Sequence, residues 1–177
     1  MKRFAVLSLM TIIFLPSSAM AFAPLHTIAI GIEDLRSGYV HYEFLNCNGY
    51  TSAKALEDEY NLSSSELQHY GWENSYETCY SKGVAQVTNQ VHQFYGKGGA
   101  HWFLQVMIGS GLCGGCGYQA TWKPRIGQES VGYTGSGLVG VIFRQGRYTV
   151  EVNTPSTKRQ SLIALARLVN QRIKTTG

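Results

Sequence analysis

The sharpest chemical motif in this sequence is Cys113-Gly114-Gly115-Cys116. Two thiols at that spacing have three uses. They close a short structural disulfide, cycle as a redox dithiol, or supply two of the four thiolates of a zinc site. A redox dithiol needs its thiolate stabilised, commonly by a helix N-terminus. The residues that follow, Gly117-Tyr118-Gln119-Ala120-Thr121-Trp122, are poor helix formers. A zinc site needs a second pair at similar spacing, which Cys47 and Cys79 do not provide. The structural disulfide is therefore favoured, with a thiol–disulfide protein acting through Cys113 and Cys116 as the alternative function.

The second group is basic. Arg144 and Arg147 flank the dipeptide Gln145-Gly146, and Lys123, Arg125, Lys158 and Arg159 lie in neighbouring loops. Brought together, these side chains form a rim suited to phosphate or carboxylate groups. Other chemistry is missing. His26, His41, His69, His92 and His101 show no metal-binding spacing, and there is no His-Glu-x-x-His. There is no Gly-x-Ser-x-Gly, phosphate-binding loop or dinucleotide fingerprint. Ser136, between two glycines, reads as a turn serine. Tyr70, Trp72, Tyr76, Tyr80 and Trp102 suit a core better than a sugar platform. No catalytic residue, metal or cofactor is expected, and the balance leans away from an enzyme.

The elements that would position these groups are clearest near the C-terminus. Leu138–Arg144 and Arg147–Asn153 alternate as strands about Gln145-Gly146, a two-residue turn ending in glycine. The first strand is apolar on both faces and reads as central. The second has one polar face and reads as nearer water. Ser156 or Thr157 then caps a helix with an apolar stripe of Leu162, Leu165, Ala166, Val169 and Ile173.

Upstream, Phe22–Ser37 reads as irregular, with a short strand at Ile28–Ile30. Tyr39–Leu45 reads as a strand. Helices start at Thr51 or Ser52 and at the capping box Ser63 to Glu66. Trp72–Ser81 and Val84–Tyr95 read as two strands, and Ala100–Ile108 as a buried helix facing Trp102, Phe103, Val106 and Met107 inward. Ala120–Trp122 adds a short strand. The fold class is α+β: one antiparallel sheet of about four to six strands, with helices packed against it and a C-terminal β-hairpin followed by an amphipathic helix.

Met1–Ala21 has the marks of a secretory signal peptide. Lys2 and Arg3 precede a short apolar run, and Ala19-Met20-Ala21 suits cleavage. Residues 22–177 then form a single domain, with the Cys-Gly-Gly-Cys loop at 109–123. Exported to a periplasmic or secreted location, the chain meets an oxidising environment. Its four cysteines are expected to pair as Cys47–Cys79 and Cys113–Cys116. No transmembrane segment is expected after signal cleavage.

The net charge is +4, but unevenly spread. Phe22–Gln119 holds four Lys/Arg against nine Asp/Glu, whereas Ala120–Gly177 holds nine against two. The basic third points to an unknown protein partner or an anionic envelope component. No nucleic-acid partner is expected. The expected function is a non-enzymatic exported binding domain.

Several phrases carry a resemblance. They are Asp34-Leu35-Arg36-Ser37-Gly38-Tyr39, Gly71-Trp72, Gly99-Ala100-His101-Trp102-Phe103, Ile126–Ser130, and Phe143-Arg144-Gln145-Gly146-Arg147-Tyr148 with the helix after it. Together they resemble a broad group of uncharacterised exported bacterial α+β domain proteins, similar in outline to the Mog1/PsbP-like fold. That resemblance implies an antiparallel sheet with helices on it, and no activity or catalytic residue.

Overall fold

The computed structural model describes residues 23–42, 47–111, 118–135, 137–155 and 158–176. Every strand pairing among them is antiparallel, as expected for an α+β domain. The strands are β1 (Val40–His41), β2 (Gly49–Tyr50), β3 (Trp72–Lys82), β4 (Ala85–Phe94), β5 (Tyr118–Trp122), β6 (Glu129–Gly135), β7 (Leu138–Gln145) and β8 (Tyr148–Pro155). The sheet runs β1-β3-β4-β8-β7-β6-β5, with β2 also paired to β3. It has eight strands rather than four to six. The excess comes from β2, only two residues long, and from β6, which is not among the expected strands; β1 falls within the expected Tyr39–Leu45 strand, of which residues 43–45 lie outside the described residues.

Two helical layers cover the sheet. On one face lie α1 (Leu25–Ile28) and α5 (Arg159–Thr176); on the other lie α2 (Ala53–Tyr60), α3 (Ser64–His69) and α4 (Lys97–Gly111). The α5 stripe buries Leu162, Ala166, Val169 and Ile173 against Val139, Val141 and Phe143 of β7 and Tyr148, Val150 and Val152 of β8. Leu162, Val169 and Ile173 each contribute about 1.5–3 kcal/mol on leaving water. Leu165, expected in that stripe, packs only at its margin. In α4, Ala100, Phe103, Leu104 and Met107 are buried, while Trp102 and Val106 lie at the edge.

Because both faces are covered, β8 lies between β4 and β7 with its polar face inside, not near water. Thr149 is buried and donates from Oγ1 to the Ala100 carbonyl at 2.6 Å. The hairpin turn also falls one residue later than the alternation suggests. Gln145 pairs with Tyr148, leaving Gly146-Arg147 as the turn with Gly146 at φ +60°.

The N-terminal segment differs as well. Ile28 ends a single helical turn instead of starting a strand. The backbone at Ile30 is satisfied by side chains: its N–H donates to Asn89 Oδ1 at 2.9 Å, and its carbonyl accepts from Tyr80 Oη at 3.0 Å. The caps of α2 and α3 are as expected. Ser52 accepts from the Ala55 amide, and Ser63 and Glu66 form a capping box. Cys47 and Cys79 are joined, as expected, tying the segment before β2 to β3. The expected caps Ser156 and Thr157, and the pair Cys113 and Cys116, lie outside the described residues. No described helix is long and apolar enough to cross a membrane.

The seat of α4 depends on Gly99. A Cβ there would lie 2.0 Å from the Tyr70 carbonyl oxygen and 3.0 Å from the Phe94 ring. At Gly98 a Cβ would meet nothing within 4 Å. Gly99→Ala should therefore cost about 1–3 kcal/mol in urea unfolding through overpacking. Gly98→Ala should be neutral, or gain up to about 1 kcal/mol from helix propensity. Equal effects at the two positions would refute this account of the packing.

Candidate functional site

The basic residues picked out above do not act together. Arg144 on β7 is held by Glu129 of β6, by Gln128 Oε1 at 2.8 Å and by the Gly146 carbonyl at 3.0 Å. Burial alone would raise the Glu129 pKa; hydrogen bonds from Arg144 and His101 outweigh it and hold that carboxyl below its ordinary value. Arg147 is paired with Glu73 of β3. Both turn arginines are thus locally balanced. Lys123 and Arg125 are exposed between β5 and β6 and have no ion pair among the described residues. Arg159 lies 4.0 Å over the Trp122 ring. Lys158 goes elsewhere, into a cavity.

That cavity has a volume of about 330 Å³ and lies on the α5 side of the sheet. One wall is the segment 34–39, with Leu35, Arg36 and Tyr39. The other is the N-terminal half of α5, with Ser161, Ala164, Leu165 and Leu168. Val87 of β4 and Thr154 of β8, both buried, form the floor. The size falls in the range of small-ligand sites.

The wall segment is fixed by one ion pair. Arg172 Nη1 and Nη2 contact the two Asp34 carboxylate oxygens, each at 2.8 Å, and Nη1 also donates to the Ala29 carbonyl at 2.7 Å. This two-pronged geometry is specific to arginine. It neutralises the only carboxylate among the described lining residues. Arg36 and Lys158 are exposed, and neither is in an ion pair or hydrogen bond among the described residues. The cavity therefore carries two uncompensated positive charges above an aliphatic floor. The phrase Asp34–Tyr39, one of those that carried the resemblance in the sequence, is its wall; nothing in the local pattern pairs it with a helix more than a hundred residues away.

The opposite face holds a different constellation. Tyr133 Oη on β6 contacts Glu151 on β8. Tyr60 Oη donates to Gln90 Oε1 at 2.9 Å, and Gln90 Nε2 donates to Glu59 and Glu77 at 3.2 and 3.3 Å. Burial pushes the Glu151 carboxyl above its usual pKa, and Glu59 and Glu77 add repulsion against hydrogen bonds from Tyr133 and Asn153. Burial raises Glu77 too. Cys47, Glu77 and Cys79 cluster closely, but the disulfide uses both sulfurs, so they offer no thiolate to a metal or to His92. His92 Nδ1 and Ser75 Oγ are 2.8 Å apart, and Ser75 accepts from Trp72 Nε1 at 2.8 Å. Both residues are 1% exposed, which no substrate can reach, so the contact is structural. The Tyr70 and Trp102 rings stack at 3.9 Å; of the five aromatic residues expected in the core, Tyr80 is buried and Tyr70, Trp72, Tyr76 and Trp102 are partly buried.

These groups set opposing pH slopes. Burial lowers the His92 pKa to about 3 from 6.5, so only the unfolded chain takes up that proton as pH falls between them. Stability is then lost on acidification, at up to about 1.4 kcal/mol per pH unit for one group. Glu151, raised above 4.5, takes up its proton first in the folded state, and so gains stability as pH falls towards 4.5. Between pH 6.5 and 4.5, Glu151→Gln should make the loss steeper than in the parent, and His92→Leu should make it shallower. Parallel curves in denaturant titrations across that window would show that neither group is perturbed.

No family model matches the chain, and no curated protein is similar enough to be aligned with it. The motif resemblance to exported bacterial domains and to the Mog1/PsbP-like outline thus has no family match behind it. Among solved structures, the chain is similar to the extracellular domain of PknH from Mycobacterium tuberculosis. The TM-score is 0.52 at 13% identity, covering 84% of this chain and 94% of that one. At that identity the likeness is one of fold.

Proposed function

We propose that this chain is an exported, non-enzymatic binding domain that holds an anionic component of the cell envelope in the cavity between segment 34–39 and α5. The observation that carries the reading is the pair of cations, Arg36 and Lys158, at a cavity whose one carboxylate among the described lining residues, Asp34 in the wall, is already matched by Arg172. A site with positive charge in excess of its own counter-ions favours anions. The start of the chain, Met1–Ala21, and the extracellular origin of the PknH domain support export. No assembled set of nucleophile, base and oxyanion donors favours catalysis among the described residues.

The test uses 8-anilinonaphthalene-1-sulfonate, an anion of suitable size, titrated by fluorescence. Arg36→Glu with Lys158→Glu should weaken binding about tenfold or more, since each charged hydrogen bond contributes about 1.5–3 kcal/mol. Lys123→Glu with Arg125→Glu removes the same charge from the β5–β6 segment and should leave affinity near the parent value. Equal loss in both double variants would mean that only net charge matters, and would overturn the assignment to this cavity.

A further inference from the structure

We infer that the ligand of this cavity is a single-chain anionic amphiphile, its head at Lys158 and Ser161 and its alkyl chain along Leu165, Leu168 and Leu35. This rests on the binding role proposed above and names the class of ligand. Lys158, immediately before α5, and Ser161, Ala164, Leu165 and Leu168 on it all line the cavity. Their spacing of three, three, one and three places them on one stripe of the helix. That stripe is distinct from the Leu162, Ala166, Val169 and Ile173 stripe that packs on the sheet. At 1.5 Å per residue it runs for about 15 Å from Lys158 to Leu168.

Polarity along the stripe is graded. The charged and hydroxyl groups come first, at the start of an 18-residue helix, where the backbone dipole also favours negative charge. Only aliphatic side chains follow. One turn beyond Leu168, Arg172 meets Asp34, so the far end carries no net charge. Thr154 adds a hydroxyl; Arg36, on the facing wall, supplies a second cation. A sugar phosphate or nucleotide would need donors and acceptors along its whole length, and Val87, Ala164, Leu165 and Leu168 provide none. An alkyl chain needs none. At about 30 Å³ per water-sized group, the cavity holds roughly eleven such groups, a carboxylate head and about eight to ten methylenes.

The experiment measures binding of hexanoate, octanoate, decanoate and dodecanoate to the full oxidised chain by calorimetry, below their aggregation concentrations. Affinity should rise about three- to fourfold per methylene until the cavity is filled near decanoate, then level off. Decanol, with no charge, should bind at least tenfold more weakly than decanoate. Ala164→Phe puts bulk into the lining from an exposed position, away from the core stripe. It should abolish the rise with chain length while leaving the melting temperature unchanged.

Equal affinity across the series, still lost in the Arg36 and Lys158 variant, would overturn the amphiphile and leave a small-anion site. Decanol matching decanoate would overturn the placement of the head. Failure of both the alkanoates and the aryl sulfonate to bind would remove the inference and the proposed function together.

Discussion

The constraint behind most of this structure is that the middle of the sheet is covered twice. β4, β8 and β7 have α5 on one side and α4 on the other, so no side chain along them reaches bulk water freely. An unpaired polar group in such a place costs several kcal/mol, so most find a partner inside, with His92 Nε2 and Tyr148 Oη as exceptions among the described residues. Thr149 finds the Ala100 carbonyl, Asn89 finds the Ile30 amide and the Glu151 carbonyl, and Glu151 finds Tyr133. The same bonds attach the layers to one another. The irregular N-terminal segment is held to the sheet through Asn89 and Tyr80, and α4 through Thr149. Gly140 completes the arrangement, since its missing side chain is the space that the Tyr133 ring occupies.

α5 is asked to do two things by two stripes. Leu162, Ala166, Val169 and Ile173 anchor it to β7 and β8. That leaves Ser161, Ala164 and Leu168 facing sideways, where segment 34–39 stands off far enough to leave a hollow. The stand-off is fixed by Arg172, which holds both the Asp34 carboxylate and the Ala29 carbonyl. A longer-range repulsion or a flexible loop would leave the cavity ill-defined; a partly buried, two-pronged ion pair defines it.

What was legible in the sequence was local. Capping by Ser52 and Ser63, the apolar stripe of α5, the alternation of β7, and the β3 and β4 pair all depend on neighbours a few residues apart. Their chemistry is complete within each segment. Apart from the one-residue shift of the hairpin turn and the missed strands, the misreadings are non-local. The polar side of β8 looked solvent-facing because nothing in Tyr148–Pro155 announces α4. Ile28–Ile30 looked like a strand because its hydrogen-bond partners lie 50 and 59 residues away. Arg144 and Arg147 looked like a binding rim because Glu129 and Glu73, which balance them, are distant in the chain. The cavity needed residues 34–39 and α5 brought together, and its one sequence trace was the phrase around Leu35 and Arg36, read as part of the resemblance.

The Cys47–Cys79 link has a consequence for the outer margin of β3. Among the described residues, that eleven-residue strand is bordered on its free side only by β1 and β2. The bonds that close the margin cluster around the disulfide: Tyr42 N–H to the Cys79 carbonyl, Asn48 N–H to the Glu77 carbonyl, and the Cys79 amide to Asn48 Oδ1. Without the covalent tie, short flanking strands hold weakly, and a long row of unsatisfied amides and carbonyls becomes available to any other extended chain. The disulfide therefore holds these short strands along the margin of β3, where they cover its otherwise unpaired backbone groups.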